Sequence, residues 1–293
     1  MKKVTVKVPA TSANLGPGFD SLGCAWNLFN TFEFEIIESG LIIDGCPSEF
    51  CNEGNLCVVG YRAVLDKLGL PYDNLHLTIK SDVPVSRGLG SSSTLIAAGA
   101  VAANELHGKL LDRKVILEIC NRIEGHPDNL APAIFGGLTA SLQENGIPYT
   151  VKYSISENLY FTALIPDFEL NTMKARSVLP ETINFADASY NLSHAVVLLK
   201  ALELGDINMV EMALNDKLHQ PYRKFLIDEY DKVQTIVNEN GCNALCISGA
   251  GPTLLCITDN AEFRENIKPQ IERLKNNWQI MPLSVNFNGI EIK

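Results

Sequence analysis

Pro84-Val85-Ser86-Arg87-Gly88-Leu89-Gly90-Ser91-Ser92-Ser93 separates two periodic stretches of the chain. Before it, residues 75–81 alternate apolar and polar with period two, which predicts a strand. After it, residues 91–106 form an alanine-rich apolar run that ends before Gly108, which predicts a helix with a C′ glycine. A strand, a glycine-bearing loop and a helix start place backbone N–H groups and a positive dipole end together, an arrangement suited to an anion. The serine hydroxyls at the helix start either cap it or contact a phosphate or a divalent cation. The loop is not a Walker A sequence, since no Gly-Lys-Ser/Thr stands at the required spacing, and Gly-x-Gly-x-x-Gly occurs nowhere in the chain. On the residues alone, a capped turn and a phosphate cradle both stay open.

The 293 residues suggest two domains or one large one, at roughly 150 residues per domain. Apolar residues make up 46% and charged residues 20%, so neither disorder nor a fibrous repeat is indicated. No apolar run reaches the roughly 20 residues of a membrane helix, and Lys2-Lys3 leads into alternating Val4, Val6 and Val8 rather than a signal peptide. The reading is a cytoplasmic protein with no membrane partner. A formal charge of −10 disfavours nucleic acid, which calls for a basic stripe. It also means that a phosphate site has to gather a local positive field from helix ends, a few basic side chains and a metal ion. The eight cysteines show no C-x-x-C pair and are read as free, mostly buried thiols.

Strands are expected at 3–8, 31–37, 75–81 and 160–165, and helices at 56–67, 91–106 and 112–123. Helical patterns continue at 193–204, 207–214 and 222–238. A hairpin-like pair at 244–248 and 253–258 encloses Gly249-Ala250-Gly251-Pro252, and a helix at 261–275 and a strand at 280–286 follow. Strands and helices without a strict βαβ rhythm give an α+β class. Gly146-Ile147-Pro148 marks the expected domain boundary, giving domains 1–153 and 154–293.

Two carboxylates compete for a place near a bound phosphate. Ile116, Ile119, Cys120 and Ile123 form the apolar face of the 112–123 helix and leave Glu118 on another side, where it can pair with Arg122 at i+4. Asp128 lies in Gly125-His126-Pro127-Asp128-Asn129, a turn by composition. Asn55 precedes the 56–67 helix and suits its N-cap.

Three motifs then carry a resemblance. Pro84 to Ser92 resembles the ATP loop of the superfamily of galactokinases, homoserine kinases, mevalonate kinases and phosphomevalonate kinases (GHMP), although Ser93-Thr94 stands where alanines are common. Pro9-Ala10-Thr11-Ser12-Ala13-Asn14-Leu15-Gly16-Pro17-Gly18-Phe19-Asp20 is similar to the amino-terminal substrate motif of homoserine kinases. Ser248-Gly249-Ala250-Gly251-Pro252-Thr253 resembles the carboxy-terminal glycine motif of the superfamily. The resemblance spans nearly the whole chain. It implies an amino-terminal domain like domain 2 of ribosomal protein S5 and a carboxy-terminal ferredoxin-like domain.

The resemblance also implies site roles. ATP is expected on the loop Pro84, Val85, Ser86, Arg87, Gly88, Leu89, Gly90, Ser91, Ser92 and Ser93, with Asn55 and Lys80 near adenine and ribose. Mg²⁺ is expected on Glu118 with Ser91 or Ser92. L-Homoserine is expected on Asn14 and Asp20 at its ammonium, on Arg176 and Arg223 at its carboxylate, and on His126, Asn129, Thr172 and Gly249. Asn129 and Arg176 are the expected catalytic residues. Asn129 is a poor proton acceptor and Asp128 ranks behind it, so no base is assigned. Phosphoryl transfer through a loose transition state needs chiefly alignment and charge neutralisation. A mevalonate-type kinase and a silent nucleotide-binding relative are the alternatives, and a homodimer stays open.

Overall fold

The computed structural model describes residues 2–293. Its first part runs β1 (Lys3–Ala13), β2 (Leu22–Ile36), β3 (Leu41–Asp44), α1 (Leu56–Leu68), β4 (Leu75–Ser81), α2 (Ser91–Leu106), α3 (Arg113–Glu124), α4 (Leu130–Phe135), β5 (Leu138–Glu144) and β6 (Ile147–Tyr153). The second part runs β7 (Tyr160–Pro166), α5 (Thr172–Ser177), α6 (Phe185–Leu204), α7 (Ile207–Ala213), α8 (Gln220–Arg223), α9 (Tyr230–Glu239), β8 (Ala244–Ile247), β9 (Leu254–Thr258), α10 (Phe263–Ile271), β10 (Trp278–Leu283) and β11 (Glu291–Ile292). The class is α+β.

Alternation in β1 buries Val4, Val6 and Val8 against the sheet's helical layer, with Val6 opposite Phe32 of β2. A register shift between Pro9 and Thr11 breaks that rhythm, and from there to Ala13 every residue is buried because both faces are covered. The long β2 pairs with β5 at its start and with β4 at its end, so the first sheet has the order β11-β1-β2-β4-β3 with β5 and β6 branching from β2. α2 is buried on almost every side, and its alanines let α1, α3 and the sheet approach its backbone. The second sheet has the antiparallel order β10-β7-β9-β8. With helices between its first and second and its third and fourth strands, this is the ferredoxin-like βαββαβ arrangement.

Three expectations need correction. Gly146-Ile147-Pro148 is no boundary: Asn145 (φ 52°) and Gly146 (φ 78°) form the tight turn of the β5–β6 hairpin. The helix expected over 222–238 is broken between α8 and α9, because Glu229 takes φ 63° and its carboxylate accepts the backbone N–H groups of Lys275 and Asn276. The end of the chain leaves the second sheet: β11 pairs with β1, and the Arg113 guanidinium donates to the carbonyls of Ile134, Asn288 and Ile290.

One apolar cluster is common to both sheets. Trp26 is fully buried, donates through Nε1 to Ser12 Oγ, and packs its ring 5.1 Å from Phe161 of β7. Leu15, Leu22 and Leu89 from the first part join Leu198, Leu202 and Leu255 from the second in the same cluster. Six of the eight free cysteines are buried; Cys46 is half-buried and Cys51 exposed. Among the described residues, no helix is long and apolar enough to cross a membrane.

Candidate active site

The loop between β4 and α2 is clamped from inside. Leu89 accepts a hydrogen bond from Thr11 N, Arg87 from Thr253 N, and Gly88 from Ser248 Oγ at 2.6 Å. Ser86, Gly88 and Gly90 all have positive φ, and Gly90 stands at the N-cap of α2 with no side chain capping the helix. The two glycines are required by contact as well as by φ. A Cβ on Gly88 would lie 2.3 Å from Ser248 O, and one on Gly90 would lie 2.0 Å from Thr11 Oγ1. The amino end of a sixteen-residue helix is thereby left to its own backbone donors and to Ser91, Ser92 and Ser93. Val85 and Ser86 are exposed, Pro84 is half-buried and Leu89 is buried as an anchor.

Ser92 Oγ donates to Glu124 Oε1 at 2.6 Å, and Ser93 Oγ donates to the same oxygen at 3.1 Å. Glu118 is elsewhere: it pairs with Arg122 across one helical turn, an exposed pair worth about 0.3–0.5 kcal/mol. Six residues along α3 put the two glutamates about 9 Å apart along the axis and about 120° apart around it. Glu118 therefore does not share the face that meets the loop serines, which corrects the metal-ligand expectation. Hydroxyls and a carboxylate, with no nitrogen or sulfur, form the donor set of a hard cation such as Mg²⁺. Among the described residues no three His, Cys, Asp or Glu side chains are grouped to hold an ion, so a cation here takes its remaining ligands from phosphate and water.

Next to the loop, Thr11 Oγ1 donates to Asn129 Oδ1 at 2.7 Å. The Oδ1 of Asn129 is thus engaged and its Nδ2 is the group left to donate. Asp128 is buried; its Oδ1 accepts from Asn129 N and from His126 Nδ1 at 2.7 Å, while Oδ2 has no partner. The hydrogen bond that His126 donates to Asp128 raises the His126 pKa against the opposing effect of burial.

The charged residues expected at the acceptor converge from both parts of the chain. Arg176 of α5 forms a two-pronged pair with Asp20, at 2.6 and 3.2 Å. Arg223 of α8 is 1% exposed and donates to Ala175 O and Gly249 O. Burial and the neighbouring Arg176 bring the Arg223 pKa down to about 10, so it stays a cation at neutral pH. Phe19 lies against both guanidinium groups, at 5.1 Å from Arg223 and 5.6 Å from Arg176. Gly249 is the hub, its carbonyl accepting from Asn14 Nδ2 as well as from Arg223. Thr172 is exposed on the turn of α5 that precedes Arg176.

The profile of the GHMP kinases N terminal domain matches residues 55–137, and that of the GHMP kinases C terminal domain matches residues 198–276. A homoserine kinase of Clostridium botulinum is 44% identical over 288 residues, covering 98% of this chain and 97% of its own. This chain belongs to the GHMP kinases. A homoserine kinase of Clostridium beijerinckii is 42% identical over 99% of this chain and 98% of its own. The crystal structure of a homoserine kinase from Cytophaga hutchinsonii superposes with a TM-score of 0.89 at 25% identity, over 100% of this chain and 98% of that one.

Several residues expected at the nucleotide have other contacts or positions in this GHMP kinase. The Asn55 side chain caps α1, accepting from Cys57 N and donating to Phe50 O. Lys80 is exposed at the end of β4, opposite Thr31. The Arg87 guanidinium turns to the second sheet, donating to Pro166 O and Asp167 O and facing Glu169. Sequence reasoning missed Glu124, Thr11, Phe19 and the supports of Arg223. Among these, Asp216 accepts the N–H groups of Leu218, His219 and Gln220, and buried His219 bonds Gly16 O. Burial lowers the His219 pKa, which keeps that ring neutral beside Arg223. Glu124 was within reach of a sequence argument, since it closes an amphipathic helix at Cys120 plus four, on the buried face.

Proposed function

We propose that this chain transfers the γ-phosphoryl group of ATP to the side-chain hydroxyl of L-homoserine, giving O-phospho-L-homoserine, as a step toward threonine. The carrying observation is the Thr11 bridge. Its hydroxyl bonds Asn129 and its backbone N–H bonds the phosphate loop, so the cradle and the acceptor cluster share one strand. The identity to homoserine kinases over nearly the full length supports the acceptor.

In this reading the N–H groups at the start of α2 receive the phosphates, and the hydroxyls of Ser91 and Ser92 with the Glu124 carboxylate hold Mg²⁺. Bound there, the ion neutralises charge on the transferring group. Asn129 Nδ2 orients the acceptor oxygen, while Arg176 and Arg223 hold the substrate carboxylate and Asp20 with Asn14 the ammonium. His126, locked by Asp128, completes the wall of the pocket. Asp128 is buried, with Oδ1 already accepting from Asn129 N and His126 Nδ1, and this reading assigns it no base role; the hydroxyl proton leaves late, onto phosphate or water.

Domains divided at 153/154, with the last ten residues returned to the first sheet, a cytoplasmic location and a homodimer belong to the same proposal. Coupled ADP release tests it. Turnover with L-homoserine above that with L-serine, L-threonine and mevalonate is expected; activity with mevalonate alone would replace it by the mevalonate-type reading.

A further inference from the structure

The two cysteines that are not buried lie side by side, and neither enters the phosphoryl-transfer reading. Cys51 is exposed, Cys46 is half-buried, and their sulfurs are 3.7 Å apart. They close the turn Cys46-Pro47-Ser48-Glu49-Phe50-Cys51 between β3 and α1, a single 3₁₀ turn in which Phe50 N donates to Pro47 O and Cys51 N to Ser48 O. The turn is anchored at both ends. On one side Gly45, at φ 86°, packs so closely on β4 that a Cβ would lie 1.9 Å from Ile79 O. On the other, Asn55 donates to Phe50 O at 3.0 Å, its Nδ2 also reaches Cys46 Sγ at 3.9 Å, and its Oδ1 caps α1 at Cys57 N. The two sulfurs thus stand on a held frame, and a disulfide length of about 2.05 Å is within reach of side-chain rotation.

We propose that Cys46 and Cys51 are the site of a reversible disulfide within the chain, formed by a hydroperoxide and reopened by a small dithiol. Cys51, the exposed partner, reacts first: its sulfur attacks the O–O bond of hydrogen peroxide, giving a sulfenic acid and one water. The Cys46 sulfur then displaces the hydroxyl group from that sulfenic acid, forming the S–S bond, and the hydroxyl leaves with the Cys46 proton as a second water. Over both steps the two thiols lose two electrons and two protons, and the peroxide is reduced to two waters. Burial, the Cys51 thiol and the carboxylates of Glu49 and Asp44 push the Cys46 pKa up to about 11, so this sulfur keeps its proton and is spared direct attack. Its position beside Cys51 makes the closing step intramolecular, which favours it over a second peroxide. The bond is protective: a sulfenic acid left alone advances to a sulfinic acid that thiols do not reverse, whereas a disulfide is reopened by exchange.

The test treats the full chain with hydrogen peroxide and follows intact mass, alkylation of the native protein by iodoacetamide, and trapping of sulfenic acid by dimedone, with peptide mapping to place each change. Because the other six thiols are buried, native alkylation reads Cys46 and Cys51. The wild type should lose two hydrogen atoms in mass, its alkylation at both positions should fall by at least about 10-fold, and dithiothreitol should restore both. Cys46→Ser should instead gain oxygen on Cys51, first as a dimedone-trapped sulfenic acid and then as a sulfinic acid that dithiothreitol leaves in place. Cys51→Ser should leave Cys46 alkylatable after the same exposure.

The wild-type result decides even if a variant fails to fold. A wild type whose Cys51 is trapped by dimedone while Cys46 still alkylates, whose Cys51 bonds that of a second chain on a non-reducing gel, or whose mass does not change refutes the pair. Each of these outcomes leaves the phosphoryl-transfer reading as it stands, since ADP release with L-homoserine is measured on the reduced protein.

Discussion

Replacing Gly90 by alanine should cost both stability and turnover, and the two losses have separable origins. The new Cβ would sit 2.0 Å from Thr11 Oγ1 and 3.1 Å from Asn129 Oδ1, at a φ of 70°. The left-handed backbone costs about 1–2 kcal/mol for an L-residue, displacing Thr11 about 1–3, and breaking its bond to Asn129 about 0.5–1.5. A loss of about 3–6 kcal/mol follows, which lowers Tm by about 10–20 °C at this chain length. Turnover should fall by about 100-fold, since Asn129 loses the contact that fixes it. The assay pairs thermal melts with kcat and KM for ATP and L-homoserine, and adds Thr11→Ala alone and together with Gly90→Ala. Removing the Thr11 side chain relieves the clash but not the φ strain, so the double variant should be less destabilised than the sum of the singles. A Gly90→Ala protein that melts within about 2 °C of the wild type and keeps its kcat would refute the close-contact account of the loop.

Other outcomes follow from the same structure. Glu124→Gln should raise the Mg²⁺ concentration needed for half-maximal rate by about 10–100-fold, whereas Glu118→Gln should leave it unchanged and shift stability by less than about 0.5 kcal/mol; a metal titration that ranks them the other way restores Glu118. Arg87→Ala should lower Tm with only a modest change in KM for ATP, because its guanidinium is bound to Pro166 and Asp167; an intact Tm with a collapsed ATP affinity would make it a phosphate ligand. Burial alone would raise the Glu229 pKa, but the N–H groups of Asn276 and Lys275 and the Lys232 ammonium hold it down at about 2, from an ordinary value of 4.5. Its contribution is therefore full above about pH 4.5 and is lost as pH falls toward about 2, so wild type and Glu229→Gln should differ most in urea melts at neutral pH and converge in strong acid.

The sequence carried local information well and tertiary information only through motifs. The period of Val4, Val6 and Val8, the C′ glycines of α1 and α2 and the Glu118–Arg122 spacing are all local, and each is found where it was expected. The break at Glu229 was invisible because its cause lies some 46 residues downstream, at Lys275. The pairing of β11 with β1 and the turning of Arg87 toward Pro166 are equally non-local. In the site, the motifs pointed to the loop and to Asp20, Arg176 and Arg223, and periodicity put Glu124 on the buried face of α3, but it could not say that this face meets the serines. That depended on how α3 rotates against α2, which only packing decides.

The aromatic contact of Trp26 with Phe161 restricts how this enzyme moves. Because side chains of β1, β2, β7 and α6 lie in one dry cluster, swinging the two halves apart would wet a tryptophan and its apolar neighbours all at once. Heat should therefore melt the whole molecule in a single step, and neither half should be obtainable as a stable fragment. The same coupling extends to the acceptor cluster: Arg223 is sealed beneath α5 and donates to Ala175 O, so Arg176 on that helix and Arg223 keep a fixed spacing.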